Sequence, residues 1–161
     1  MPSPHYKLIA SAVARRHGEL LLVQQRYPDD ARLHWGLPGG QVEPGEALLV
    51  GLGRELREET NIVSTTFLAE SPEWYCYDLP GEALRKSWKD GFRGQRQKWF
   101  ALRFDGPESE IDIVEPAGGH RPEFDAWRWE SIGRLTELIV PFKRPVYEKV
   151  VETFGHLAEP H

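Results

Sequence analysis

Gly40-Gln-Val-Glu-Pro-Gly-Glu46 is followed by seven residues and then by Arg54-Glu55-Leu56-Arg57-Glu58-Glu59-Thr60-Asn61-Ile62, and the architecture follows from this segment. Pro44-Gly45 punctuates the chain and strong helix formers follow at once, so the spacing predicts a helix from near Glu46 to near Thr60-Asn61. At ~100° per residue, Glu55 and Glu59 fall within about 40° of each other, and Glu58 lies roughly 60° to the other side of Glu55. Leu49, Leu52 and Leu56 form an apolar stripe beside them. Three carboxylates therefore share one arc at the rim of a buried face.

A helix kept only for its structure gains nothing from this arrangement. Like charges four residues apart repel by about 0.2–0.5 kcal/mol, and carboxylates near a helix C-terminus oppose the macrodipole by a further ~0.3–1 kcal/mol. A hard divalent cation converts that repulsion into binding, because Mg²⁺ takes carboxylate oxygens while keeping sites for water and phosphate. Gly51, one turn before Glu55, costs ~1 kcal/mol in a helix interior and is expected to leave room for an ion and phosphates. The competing reading is a solvated acidic face with Arg54–Glu58 as an ordinary ion pair.

Gly40, Glu46, Arg54, Glu55, Leu56, Glu58, Glu59 and Ile62 at this spacing resemble the box of the Nudix hydrolase family. One position departs: Asn61 stands where that family usually has Gly, and Asn is the next best residue for a left-handed helix cap. The resemblance implies an α+β fold, an α/β/α sandwich whose mixed sheet is flanked by helices. It also implies cleavage of a nucleoside diphosphate linked to another group, by water attack on phosphorus with Mg²⁺ or Mn²⁺ as cofactor. Glu55, Glu58 and Glu59 would bind metal, and either Glu58 or Glu59 would take the proton from water. Arg54 would orient the cluster through charge-assisted hydrogen bonds. Gly39, counted with the metal site, and Gly40 would let backbone approach metal or phosphate.

At 161 residues the chain is expected to be one domain over residues 1–161. Its 40% hydrophobic and 28% charged residues are ordinary for a globular protein. No apolar run reaches the ~20 residues of a membrane span, and Met1-Pro-Ser-Pro-His has no signal-peptide core. A cytoplasmic protein without a membrane or an obligate protein partner is expected. The single cysteine, Cys76, reads as a buried small apolar residue. A net charge of −5 argues against broad affinity for nucleic acid.

Strands are expected over residues 7–14, 19–25, 63–70, 74–79, 97–104 and 124–130, and a closing helix over residues 141–155. Residues 27–33 read as a polar loop and 80–94 as an irregular excursion. Residues 106–119 read as an acidic loop around a short strand at 111–114.

Beyond the box, Gly94-Gln-Arg-Gln-Lys98-Trp-Phe100, Pro122-Glu-Phe-Asp-Ala-Trp-Arg-Trp129 and Pro141-Phe-Lys-Arg-Pro-Val-Tyr147 are similar to one subgroup of that family. It comprises bacterial RNA pyrophosphohydrolases and asymmetrical dinucleoside tetraphosphate hydrolases. The similarity implies Glu123 as an additional metal ligand. It implies phosphate contacts from Lys7, Arg26, Lys98 and Lys143, with Tyr77 and Phe142 lining the base or phosphate-proximal pocket. Gly39 and Lys7 depart from that subgroup, where Gln and Arg are usual, and a Lys holds phosphate as a point charge rather than bidentately.

Charge makes a separate argument. Arg85, Lys86, Lys89, Arg93, Arg96 and Lys98 face a single acid, Asp90, with Trp88, Phe92 and Trp99 interleaved. Such a segment in an acidic protein suits a polyphosphate or an RNA 5′ end. Two functional classes are thereby set against each other. One is a metal-dependent pyrophosphohydrolase acting on triphosphorylated RNA or dinucleoside polyphosphates, with nucleotide-pool or nucleotide-sugar hydrolysis as its variant. The other is a catalytically silent nucleotide- or RNA-binding module, which the complete set Arg54, Glu55, Glu58 and Glu59 disfavours.

Overall fold

The computed structural model describes residues 6–16, 19–27, 30–114 and 124–158. Eight strands form one sheet: β1 (Tyr6–Arg16), β2 (Glu19–Tyr27), β3 (Asp30–Gly36), β4 (Gly39–Gln41), β5 (Thr65–Glu70), β6 (Tyr75–Asp78), β7 (Gly94–Phe104) and β8 (Trp127–Ser131). The helices are α1 (Leu48–Thr60), α2 (Gly81–Trp88), the single turn α3 (Leu135–Leu138) and α4 (Arg144–Phe154). Along its main path the sheet runs β3-β2-β1-β7-β5, with β4 added to β1, β6 to β7 and β8 to β2. β1 and β7 are parallel from Tyr6↔Gly94 to Arg15↔Arg103, whereas the other pairs are antiparallel. The sheet is mixed, as expected.

Strand β7 is the axis. Successive side chains of a strand point to opposite faces, and both faces of β7 are covered. Phe100 and Leu102 pack with Leu52 and Leu56 of α1. Trp99 and Ala101 point the other way, into a cluster with Tyr147, Val150 and Phe154 of α4. Leu52 and Leu56 are almost wholly buried, each contributing about 1.5–3 kcal/mol relative to exposure. Helix, sheet, helix is the expected sandwich.

α1 starts at Leu48, two residues later than the sequence suggests, with Ala47 at its N-cap. Its end falls where expected: Asn61 adopts φ 66°, and its backbone N–H donates to the Arg57 carbonyl at 3.0 Å. The Asn61 amide nitrogen also donates to the Glu110 carbonyl at 2.9 Å, which gives this cap a side-chain role that Gly lacks.

Four local readings change. Residues 30–33 of the expected loop belong to strand β3, which pairs with β2 through Tyr27↔Asp30, Gln25↔His34 and Gln24↔Trp35. The excursion at 80–94 contains helix α2. The expected strand at 111–114 is not one: a 3₁₀ turn over Glu108–Glu110 precedes irregular chain there. Cys76 is exposed, not buried, because Tyr75 and Tyr77 take the inward positions of β6.

Candidate active site

Helix α1 packs Leu52 and Leu56 on the sheet while Leu49 of the expected stripe stays exposed, and the adjoining arc comes to lie over the edge strand β4. Glu59 is buried, and Glu55 and Glu58 are partly so. Arg54 gathers this arc. Its Nε donates to Glu46 Oε2 at 3.0 Å and its Nη2 to Glu46 Oε1 at 3.1 Å, a two-pronged grip. Nη1 donates to Glu55 Oε1 and Glu58 Oε2, both at 3.1 Å, and Nη2 also reaches the Gln41 carbonyl at 3.0 Å. One guanidinium thus ties the loop, the edge strand and two carboxylates of the helix together. The hydrogen bond to Arg54 comes first in holding the Glu46 carboxyl below its ordinary range, and the N–H of Glu43 adds to it. The same bond raises the Arg54 guanidinium further above its already high value.

Glu46 belonged to the sequence pattern without a role; with α1 starting at Leu48, its carboxylate reaches Arg54 from the loop before the helix. Its carboxylate also fills the space expected to stay open at Gly51. A Cβ there would stand 2.7 Å from Glu46 Oε1. Gly51 is thus small to seat Glu46, not to leave a vacant ion site.

Gly40 brings the edge strand hard against the helix. A Cβ on it would overlap the Glu55 carboxyl group and stand 2.6 Å from Glu55 Cγ. The Glu55 side chain therefore lies against the backbone of β4, at a residue paired with Ala10 of β1. This cradle and the all-oxygen donors of Glu55, Glu58 and Glu59 suit a hard divalent cation. Among the described residues no three acidic, His or Cys side chains converge into a complete cation site by themselves. Arg54 already draws on two of these carboxylates, so remaining ligands have to come from backbone, substrate or beyond the described residues. Glu123, the expected extra ligand, lies outside the described residues.

The expected substrate contacts separate into two groups. Tyr77, Phe142 and Lys143 meet: the two rings stand 5.7 Å apart, with the Lys143 ammonium 5.4 Å above Tyr77 and 6.0 Å from Phe142. Burial pushes the Lys143 ammonium down to about 8. The Tyr77 hydroxyl donates to Gln95 Oε1 at 2.5 Å, and Gln97 Nε2 donates to the same oxygen at 3.2 Å. Lys7 pairs with Gln95 in the sheet, so its backbone lies in the row of Tyr77. The side chains of Lys7 and Arg26 are outside those described.

Lys98 is not in this group. It shares the face of Phe100 and Leu102, 3.8 Å from Glu70 and 6.0 Å from the Trp74 ring, which also carries Arg96 at 4.7 Å. The two-residue period of β7 separates it from Gln95 and Gln97, a signal the sequence already held. Gln95 and Gln97 went unnoticed because uncharged amides in a strand carry no pattern of their own. The basic excursion also loses a member: Trp99 is fully buried and edge-on to Tyr147, with ring centroids 5.5 Å apart. Arg93 donates to Asp78 at 2.7 Å, while Arg85 and Lys86 close the last turn of α2 beside exposed Trp88.

With this geometry in place, the model of the NUDIX domain family matches residues 5–150. The chain belongs to the Nudix family. It is thereby a hydrolase of phosphoanhydride bonds, in a family that generally uses divalent metal ions. An RNA pyrophosphohydrolase of Rhodopseudomonas palustris (strain ATCC BAA-98 / CGA009) is 50% identical to this Nudix chain over 146 residues, covering 91% of this chain and 83% of that protein. One of Azorhizobium caulinodans is 45% identical over 159 residues, covering 96% and 95%. Among solved structures, the E. coli dihydroneopterin triphosphate pyrophosphohydrolase superposes with a TM-score of 0.67 at 22% identity, covering 91% of this chain and 97% of that one. A C. elegans Ap4A hydrolase binary complex gives 0.62 at 21% identity, covering 93% and 98%. At these identities the structural neighbours speak for the Nudix fold alone.

Proposed function

We propose that this Nudix hydrolase is an RNA pyrophosphohydrolase, which removes phosphates from a 5′-triphosphorylated RNA end and leaves a 5′-monophosphate. The observation that carries the reading is the likeness to RNA pyrophosphohydrolases 45–50% identical over nearly the whole chain. The complete set of Arg54, Glu55, Glu58 and Glu59 supports catalysis over mere binding.

Glu55, Glu58 and Glu59 would hold the divalent ion, Mg²⁺ or Mn²⁺, with Gly39 from the edge strand and Glu123 as further ligands. When bound, the ion supplies positive charge at the phosphate oxygens and makes a water more acidic. Arg54 keeps Glu55 and Glu58 in place from one side, leaving Glu58 or Glu59 to accept the proton of the attacking water. The cation of Lys143 holds a phosphate, with Lys7 and Arg26 as further phosphate contacts. Tyr77 and Phe142 offer aromatic surface to the first base. Lys98 shares the sheet face of α1, opposite the Tyr77 group, and would touch a phosphate on the side of the helix carboxylates. Residues 1–161 are read as one domain. A cytoplasmic location suits the substrate, and among the described residues no helix is long and apolar enough to cross a membrane.

The test is a side-by-side rate comparison with Mg²⁺ of triphosphorylated RNA, diadenosine tetraphosphate, simple nucleoside triphosphates and a nucleotide sugar. The proposal expects the RNA end to be cleaved with the highest kcat/KM. A higher value for the dinucleotide or the sugar would replace it.

A further inference from the structure

Between β3 and β4 the backbone ladder stops for two residues. β3 ends at Gly36 and pairing resumes at Gly39. Pro38 has no N–H to place, so Leu37 carries the only amide hydrogen of this crossing. That N–H is buried, and it donates to the Tyr147 hydroxyl oxygen at 3.0 Å, across 110 residues of sequence. Tyr147 belongs to α4, on the far side of the sheet from α1. It is 3% exposed, and its ring stands edge-on to Trp99, which is itself fully buried. The phenol therefore has a fixed place, set by ring packing. A phenylalanine would satisfy that packing equally well, so the oxygen is there for Leu37.

What Leu37 holds is the entrance to the active site. Two residues later come Gly39 and Gly40, and Gly40 is the residue against which the Glu55 carboxyl group rests. We propose that Tyr147 is a positioning residue: its phenol oxygen fixes Leu37-Pro38, so that Gly39-Gly40 present their backbone to Glu55 in the geometry that accepts a divalent ion. The inference rests on the metal-dependent reading given above and adds a residue from the opposite face of the sheet to it. Groups that orient a metal's own ligands change affinity or activity by about 10–100-fold when lost, and an anchor one step further out belongs at the low end.

The experiment compares wild type with Tyr147→Phe, using Mn²⁺ alone as the probe. The variant is expected to keep the wild-type circular dichroism and to bind Mn²⁺ about tenfold more weakly. Its kcat at fixed low metal should fall in step, while KM for triphosphorylated RNA at saturating metal stays within about twofold. A purely structural tyrosine would lower the melting temperature and leave Mn²⁺ affinity alone. Wild type gives a second measurement that needs no variant. Because coupling is reciprocal, Mg²⁺ should slow hydrogen exchange at the Leu37 amide. Unchanged Mn²⁺ affinity in Tyr147→Phe, or a Leu37 amide indifferent to Mg²⁺, would overturn the role of Tyr147 while the metal site stands. Failure of wild type itself to bind Mn²⁺ would bring down the metal reading and this inference together.

Discussion

Replacing Gly40 with Ala tests whether the edge strand shapes the carboxylate cluster. A Cβ there would overlap the Glu55 carboxyl group and stand 2.6 Å from Glu55 Cγ. Ordinary carbon contacts lie near about 3.5–4.0 Å, so the Glu55 side chain must retreat by roughly 1 Å. That retreat breaks the 3.1 Å hydrogen bond from Arg54 Nη1 and takes Glu55 out of line with Glu58. Glu55 is the movable end of the contact, and overpacking costs about 1–3 kcal/mol, so a stability loss near the lower limit is expected. Activity should suffer far more, because a misplacement of about 1 Å in a catalytic constellation costs on the order of a hundredfold. Steady-state phosphate release with Mg²⁺, measured beside a thermal melt, separates the two effects. A Gly40→Ala enzyme within about threefold of wild-type kcat would refute the idea that Glu55 must lie on the strand backbone.

Glu58→Gln and Glu59→Gln should each lower kcat by about 10²–10⁴-fold with the fold intact; near-normal turnover in both would remove α1 from the chemistry. For Lys143, the folded pKa of about 8 lies below the 10.5 of a free lysine, so the folded form sheds its proton first. Stability should therefore rise with pH between about 8 and 10.5, and KM for the triphosphate end should climb above pH 8 as the cation disappears. Lys143→Arg should move that rise in KM to higher pH, and an unchanged pH profile would exclude Lys143 from phosphate binding. Neutralising Lys86, Lys89 and Arg93 together should weaken binding of long RNA more than of a dinucleotide, in a salt-dependent way; equal effects would mean that the α2 region does not guide RNA.

Helix α1 could be read almost whole from the residues, because its determinants are local: Pro44-Gly45 before it, leucines at helical spacing along it, Asn61 after it. Readings failed where the deciding partner is distant in sequence. Residues 30–33 follow Pro28-Asp29 and carry Asp30 and Arg32, which reads as loop, and only pairing with β2 makes them part of a strand. Gly51 looked like a hole because nothing near it in the helix fills it, while Glu46 enters from the preceding loop. Cys76 follows the alternation of β6 outward, against its usual preference for the interior. Lys98 came from the subgroup similarity as a phosphate contact beside Lys143, and the alternation of β7 places it on the face opposite Gln95, the partner of Tyr77. The tie between Tyr147 and Leu37 has no sequence signal, since one tyrosine in a helix resembles any other core aromatic.

The requirement placed on α1 is that its glutamates hold a divalent ion without which the phosphoanhydride is not cleaved. Its most direct test is the initial rate of 5′-triphosphate cleavage during a Mg²⁺ titration of metal-stripped protein. Rates should rise from background to saturation in wild type and stay at background in Glu58→Gln and Glu59→Gln. Full cleavage by stripped wild type in the presence of a chelator would contradict the account.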